Sequence, residues 1–137
     1  MRSREKLLTE REKKKMANSY VDYVNAYKAS INHRDPVVGE KLYIRQRTGN
    51  EWVDEVKRPY TVSKIIDKRT IEIQAAKCIF DGPQYYDSLP VDIVEDKEGS
   101  TMQMRWNEKH QRWQNDPTKD YPYFCVFGKY EFQPYLN

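Results

Sequence analysis

The segment Arg58–Gln74, RPYTVSKIIDKRTIEIQ, constrains the fold of this chain more than any other. Val62, Ile66, Ile71 and Ile73 recur among polar residues on either side of a charged tip, Asp67-Lys68. Alternation of period two around a two-residue polar turn predicts a β-hairpin with those four side chains in the core. Arg58 and Tyr60, at its leading end, are the members free for other work. An isolated hairpin is marginal in water, so the flanking sequence must supply further strands.

Strand patterns recur along residues 36–137, which are expected to form one β domain. Lys41–Arg47 alternates Leu42 and Ile44 with polar neighbours, and Gly49-Asn50 marks a turn. Asp81-Gly82-Pro83 is a break, and Leu89–Val94 reads as a short strand. Met102, Met104 and Trp106 alternate with Gln103 and Arg105, and Arg112-Trp113 brings the chain back. Tyr121–Phe127 is the last strong strand, with Tyr130–Phe132 a short edge. Six or seven short strands at this spacing predict a small, strongly bent antiparallel sheet or a partly open barrel.

Residues 1–31 differ in kind. From about Ser3 to Ile31 there is neither Pro nor Gly, and Met16, Tyr20, Tyr23, Val24, Tyr27 and Ile31 follow one another at helical spacing. The expected fold class is therefore α+β, a long N-terminal helix followed by the β domain. Before Met16 the helix has only Leu7 and Leu8 to bury. Its apolar face lies either on its own sheet or on a second copy; the weak first half points to a homo-oligomer joined through the helix.

Charge is placed unevenly. Residues 1–15 carry seven basic groups against three Glu, whereas the remainder carries 17 basic against 18 acidic groups. Nucleic-acid binders put a basic stripe on the folded domain, so this near-neutral body weighs against them. Cys78 and Cys125, without CxxC spacing, suit a reducing cytosol. No apolar leader and no run of about 18 apolar residues points to a membrane. A cytoplasmic protein is expected.

Catalytic and metal signals are weak. His33 and His110, the two histidines, both fall in predicted loops, and His33-Arg34-Asp35 matches a kinase catalytic triplet with none of its surroundings. That triplet is read as a helix-end linker before Pro36. Asp92, Glu95, Asp96 and Glu98 cluster, but solvated loop acids are the plainer reading. No catalytic residue, metal or cofactor is expected. A stronger pattern is the interleaving of arginine with aromatics among the chain's 11 Tyr, 4 Phe and 3 Trp. Guanidinium groups pair with phosphate and aromatic faces stack on bases. The candidate ligand-binding residues are Arg58, Tyr60, Phe80, Tyr85, Tyr86, Arg105, Trp106 and Arg112. The competing reading makes Trp106 and Trp113 the core of a hairpin whose arginines point to solvent.

Several phrases together resemble a group of small phage-encoded proteins with an SH3-like barrel. These are Val38-Gly39, Arg58-Pro59-Tyr60-Thr61-Val62, the charged turn into Thr70–Gln74, the basic-aromatic stretch Arg105–Trp113, and Phe127-Gly128-Lys129-Tyr130-Glu131-Phe132. The resemblance covers residues 36–132 and implies an SH3-like barrel; an Arg is more usual in place of Lys129. In size, in joining a helix to a β domain, and in its arginine and aromatic content, the chain also resembles the first type of Thoeris anti-defence protein. That resemblance implies an oligomer in the host cytoplasm that captures a nucleotide-derived immune signal, such as a cyclic ADP-ribose isomer, without cleaving it. The alternative is an SH3-like module that inhibits a host protein or contacts nucleic acid.

Overall fold

A computed structural model describes residues 10–46, 56–85, 88–116 and 122–134, with helix side chains described from residue 19. The backbone contacts divide the chain into two compact units, Met1–Ser30 and Ile31–Asn137.

The first unit is the helix α1, Glu10–Ile31, 22 residues long. The expected start near Ser3 and the side chains of Leu7, Leu8 and Met16 lie outside the described residues. Tyr20 and Tyr23, expected on the buried stripe, are each 70% exposed. Freedom from Pro and Gly permits a helix without requiring that its periodic face be buried.

The second unit carries the fold. Eight strands are described: β1 (Lys41–Gln46), β2 (Val56–Asp67), β3 (Thr70–Ala75), β4 (Lys77–Ile79), β5 (Asp92–Val94), β6 (Thr101–Asn107), β7 (Arg112–Gln114) and β8 (Phe124–Phe127). Six of them form a closed barrel in the order β1-β2-β3-β6-β7-β8, and β4 and β5 form a separate two-stranded ribbon. Every pairing in it is antiparallel. The architecture is thus mainly β, with a closed barrel consistent with an SH3-like one. It is neither the α+β fold led by a long helix nor the partly open barrel expected. Closure comes from β1 pairing with β8, Leu42 opposite Phe127 and Arg45 opposite Phe124. Such a contact between distant segments leaves no mark in local alternation, yet it removes the unpaired edges an open sheet would carry.

The long strand β2 serves two partners. Its first half, Val56–Thr61, pairs with β1, and its second half, from Tyr60 onward, pairs with β3. Register shifts between Val62 and Lys64 and between Ile65 and Asp67 bend it from one to the other. The bends also redirect side chains. Val62, Ile71 and Ile73 are in the core as expected, but Ile66 is 41% exposed. The turn falls at Lys68-Arg69, one residue beyond the expected pair, because Asp67 pairs with Thr70.

Around these the core takes one or two side chains from each barrel strand: Leu42, Ile44, Val62, Ile71, Ile73, Met104, Trp106, Trp113, Cys125 and Phe127. Trp106 and Trp113 face each other across the β6–β7 pair, edge to face with centroids 5.6 Å apart. Burial raises the Cys125 thiol well above its ordinary range and suits it to packing. Gly99 closes the loop before β6 against β3; a Cβ there would run into the Ala75 carbonyl.

The linker between α1 and β1 is pinned to the barrel. Trp113 Nε1 donates to the His33 carbonyl at 2.9 Å, and Arg34 Nη1 donates to the Lys68 carbonyl at 2.7 Å. His33 Nε2 lies 3.1 Å from the Glu40 carboxylate, and its ring meets Phe127 edge-on at 5.2 Å.

Candidate ligand-binding cleft

The arginines and aromatics singled out from the sequence do not converge on one place. Arg58, Tyr60 and Phe80 belong to a first group beside the start of β2. The Arg58 guanidinium lies 4.8 Å from the centroid of Phe132, which meets Phe80 edge-on at 5.8 Å. Arg58 Nη1 also donates to the Gln133 carbonyl at 2.5 Å and to that of Lys57 at 3.0 Å. Burial raises the Tyr60 hydroxyl's pKa, with the neighbouring Tyr123 adding to the rise and Arg58 opposing it. This group ties the segment after β8 to β2, together with the bridge between Lys57 and Gln133. Its guanidinium is already engaged.

Arg112 is engaged as well. It stacks 4.5 Å over Phe124, and its Nε donates to Gln114 Oε1 at 2.9 Å. Its burial lowers its pKa. Tyr85 is 71% exposed on the excursion between β4 and β5, and Tyr86 lies outside the described residues.

Arg105 and Trp106 lead elsewhere. They are neighbours on β6, so their side chains take opposite faces: Trp106 is buried and Arg105 exposed. Both line a cleft of about 620 Å³ with Asp67, Lys68, Arg69 and Thr70. A second cleft, also about 620 Å³, shares Asp67 and Lys68 and continues past Arg34, Asp35, Pro36, Ile65, Ile71 and Trp113. Both volumes fall in the range of small-molecule sites, about 300–1,000 Å³. The two clefts flank the β2–β3 turn and differ in chemistry. The first gathers three cations against one carboxylate; the second balances its charges and offers an apolar floor.

The carboxylates near the turn are already satisfied. Asp67 Oδ1 accepts the Arg69 N–H at 2.8 Å. This bond, further ones from Thr70 and the charge of Arg105 hold Asp67 below its usual range. Glu108 Oε2 accepts the Trp106 indole N–H at 2.6 Å. That bond, Gln111 and the charges of Arg69 and Arg34 likewise lower its pKa. By contrast, among the described residues the guanidinium groups of Arg69 and Arg105 make neither a hydrogen bond nor a salt bridge. They face one cleft as uncommitted planar donors, suited to a phosphate or carboxylate.

Arg34, Lys68 and Arg69 escaped the sequence reading. Arg34 falls in a triplet read as a helix-end linker, Lys68 is read as part of the Asp67-Lys68 turn, and Arg69 is given no role. Two adjacent cations at the tip of a core hairpin were the available signal. Three of the acids Asp92, Glu95, Asp96 and Glu98 are engaged locally: Glu95 pairs with Lys97 at 2.8 Å, and Asp92 and Asp96 accept from nearby backbone N–H groups. Among the described residues no cluster of His, Cys, Asp and Glu could hold a metal ion. No helix among them is long and apolar enough to cross a membrane. No protein-family model, curated protein or solved structure matches the chain.

Proposed function

We propose that this protein is a non-enzymatic binder that captures a phosphate-bearing, nucleotide-derived signal in the cleft beside the β2–β3 turn. The reading rests on one observation. Arg69 and Arg105 line a single cleft and make neither a hydrogen bond nor a salt bridge through their guanidinium groups among the described residues, while Arg58 and Arg112 are tied to backbone or side-chain oxygens. It agrees with the resemblance to the Thoeris anti-defence proteins, whose ligand would be a cyclic ADP-ribose isomer held intact in the cytoplasm of an infected cell. Holding such a ligand requires no general acid or base. The exposed Tyr20, Val21 and Tyr23 of α1 suit that helix to joining copies into an oligomer.

The test is calorimetric titration with inorganic pyrophosphate and with cyclic ADP-ribose isomers, followed by heating and mass spectrometry of what is released. Saturable binding, weakened by R69Q and R105Q, with intact ligand recovered, is the expected result. A hydrolysed product would show an enzyme instead, and failure to bind any of these anions would overturn the reading.

A further inference from the structure

We infer that Arg34 divides the cleft into two compartments and sets its specificity, so that the site selects a heteroaromatic base joined to phosphate over either part alone. This rests on the reading of the Arg69–Arg105 side as a phosphate site.

The placement of Arg34 is unusual. It lines the apolar compartment together with Trp113, yet its guanidinium carbon lies 4.9 Å from the centroid of Trp106, which lines the cationic one. It is 5.8 Å from the centroid of Trp113. Its Nη1 is held by the carbonyl of Lys68, a residue that borders both compartments. Arg34 therefore stands on the partition, near two tryptophans and tethered to one backbone oxygen. Both indoles are too buried to meet a ligand face on: Trp106 is 7% and Trp113 1% exposed. The planar group that lines this compartment beside the two buried indoles is the Arg34 guanidinium, which is able to stack on a base. Pro36, Ile65 and Ile71 supply apolar walls, and the exposed Asp35 carboxylate can accept from an exocyclic amino group. A base here and a phosphate beside Arg69 and Arg105 are neighbours across Lys68, so a ligand bearing both engages the second compartment at high effective concentration.

The test titrates the full chain with ADP, adenosine and inorganic pyrophosphate. Stacking of one base is worth enough to make ADP about tenfold tighter than pyrophosphate, with adenosine weakest. R34A should bring ADP to within about twofold of pyrophosphate while leaving pyrophosphate affinity unchanged within the same margin. Because R34A also removes a bond to the barrel, I65W provides a second route. Ile65 is 42% exposed on a strand, and a tryptophan there can fill the apolar compartment without replacing a core side chain. I65W should abolish the preference for ADP and spare pyrophosphate. Equal affinity of the unaltered protein for ADP and pyrophosphate would overturn the inference and leave the phosphate site standing. Loss of pyrophosphate binding in R34A together with an undiminished ADP preference in I65W would also overturn it. Failure of every probe to bind would overturn the phosphate site, and the inference with it.

Discussion

The Arg58 group and the Arg69–Arg105 cleft are built from the same materials and do opposite things. At Arg58 the guanidinium lies over an aromatic ring and donates to two backbone carbonyls. At the turn two guanidiniums share a cleft with a buried tryptophan and donate to nothing among the described residues. Arginine beside an aromatic is therefore an ambiguous sign in sequence. What distinguishes a brace from a binding site is whether the donors are already satisfied, because an engaged guanidinium must break its bonds before it can hold a ligand.

The contrast is broken most completely at Trp113, which serves both the core and the apolar cleft on the other side of the turn. W113A should cost about 3–5 kcal/mol of stability by opening a cavity, and ligand binding should fail with the fold. Urea denaturation followed by circular dichroism would measure the loss. R58A comes next: losing a charged donor to the Gln133 carbonyl should cost about 1.5–3 kcal/mol while leaving pyrophosphate affinity unchanged. A weakened affinity in folded R58A would place the ligand at the other group. R105Q and R69Q should do the reverse, each lowering pyrophosphate affinity about tenfold with stability held within about 0.5 kcal/mol. Paired calorimetry and thermal melts separate these outcomes.

The smallest effect is on acid stability. The folded-state pKa of Asp67 is lowered from an ordinary 3.8, first by the Arg69 N–H. A lowered carboxylate stabilises the fold above its unfolded pKa, and that contribution is lost as pH falls through the folded value. Melting temperature should therefore drop below about pH 4, and D67N should flatten that limb of the profile slightly. Glu108 acts in the same direction, so D67N alone removes only part of the slope.

Much of the barrel could be read from pattern. Leu42, Ile44, Val62, Ile71, Ile73, Met104 and Trp106 alternate in sequence, and all are buried. Ile66 follows the same pattern and is exposed, because the register shifts in β2 are set by two different partner strands. The candidate site was legible only in Arg105 and Trp106. Arg34 lies 34 residues before Lys68, whose carbonyl it holds, and no spacing rule joins a linker to a hairpin tip.

The sequence by itself determined the alternating strands, the charged turn and the helix-forming segment ahead of Pro36, since each depends on neighbours one to four positions away. Tertiary structure alone decided that the sheet closes through β1 and β8, that Arg58 is a brace, and that Arg34, Arg69 and Arg105 meet around one turn. Closure and convergence depend on contacts between distant segments, and those become defined only when the chain buries its core.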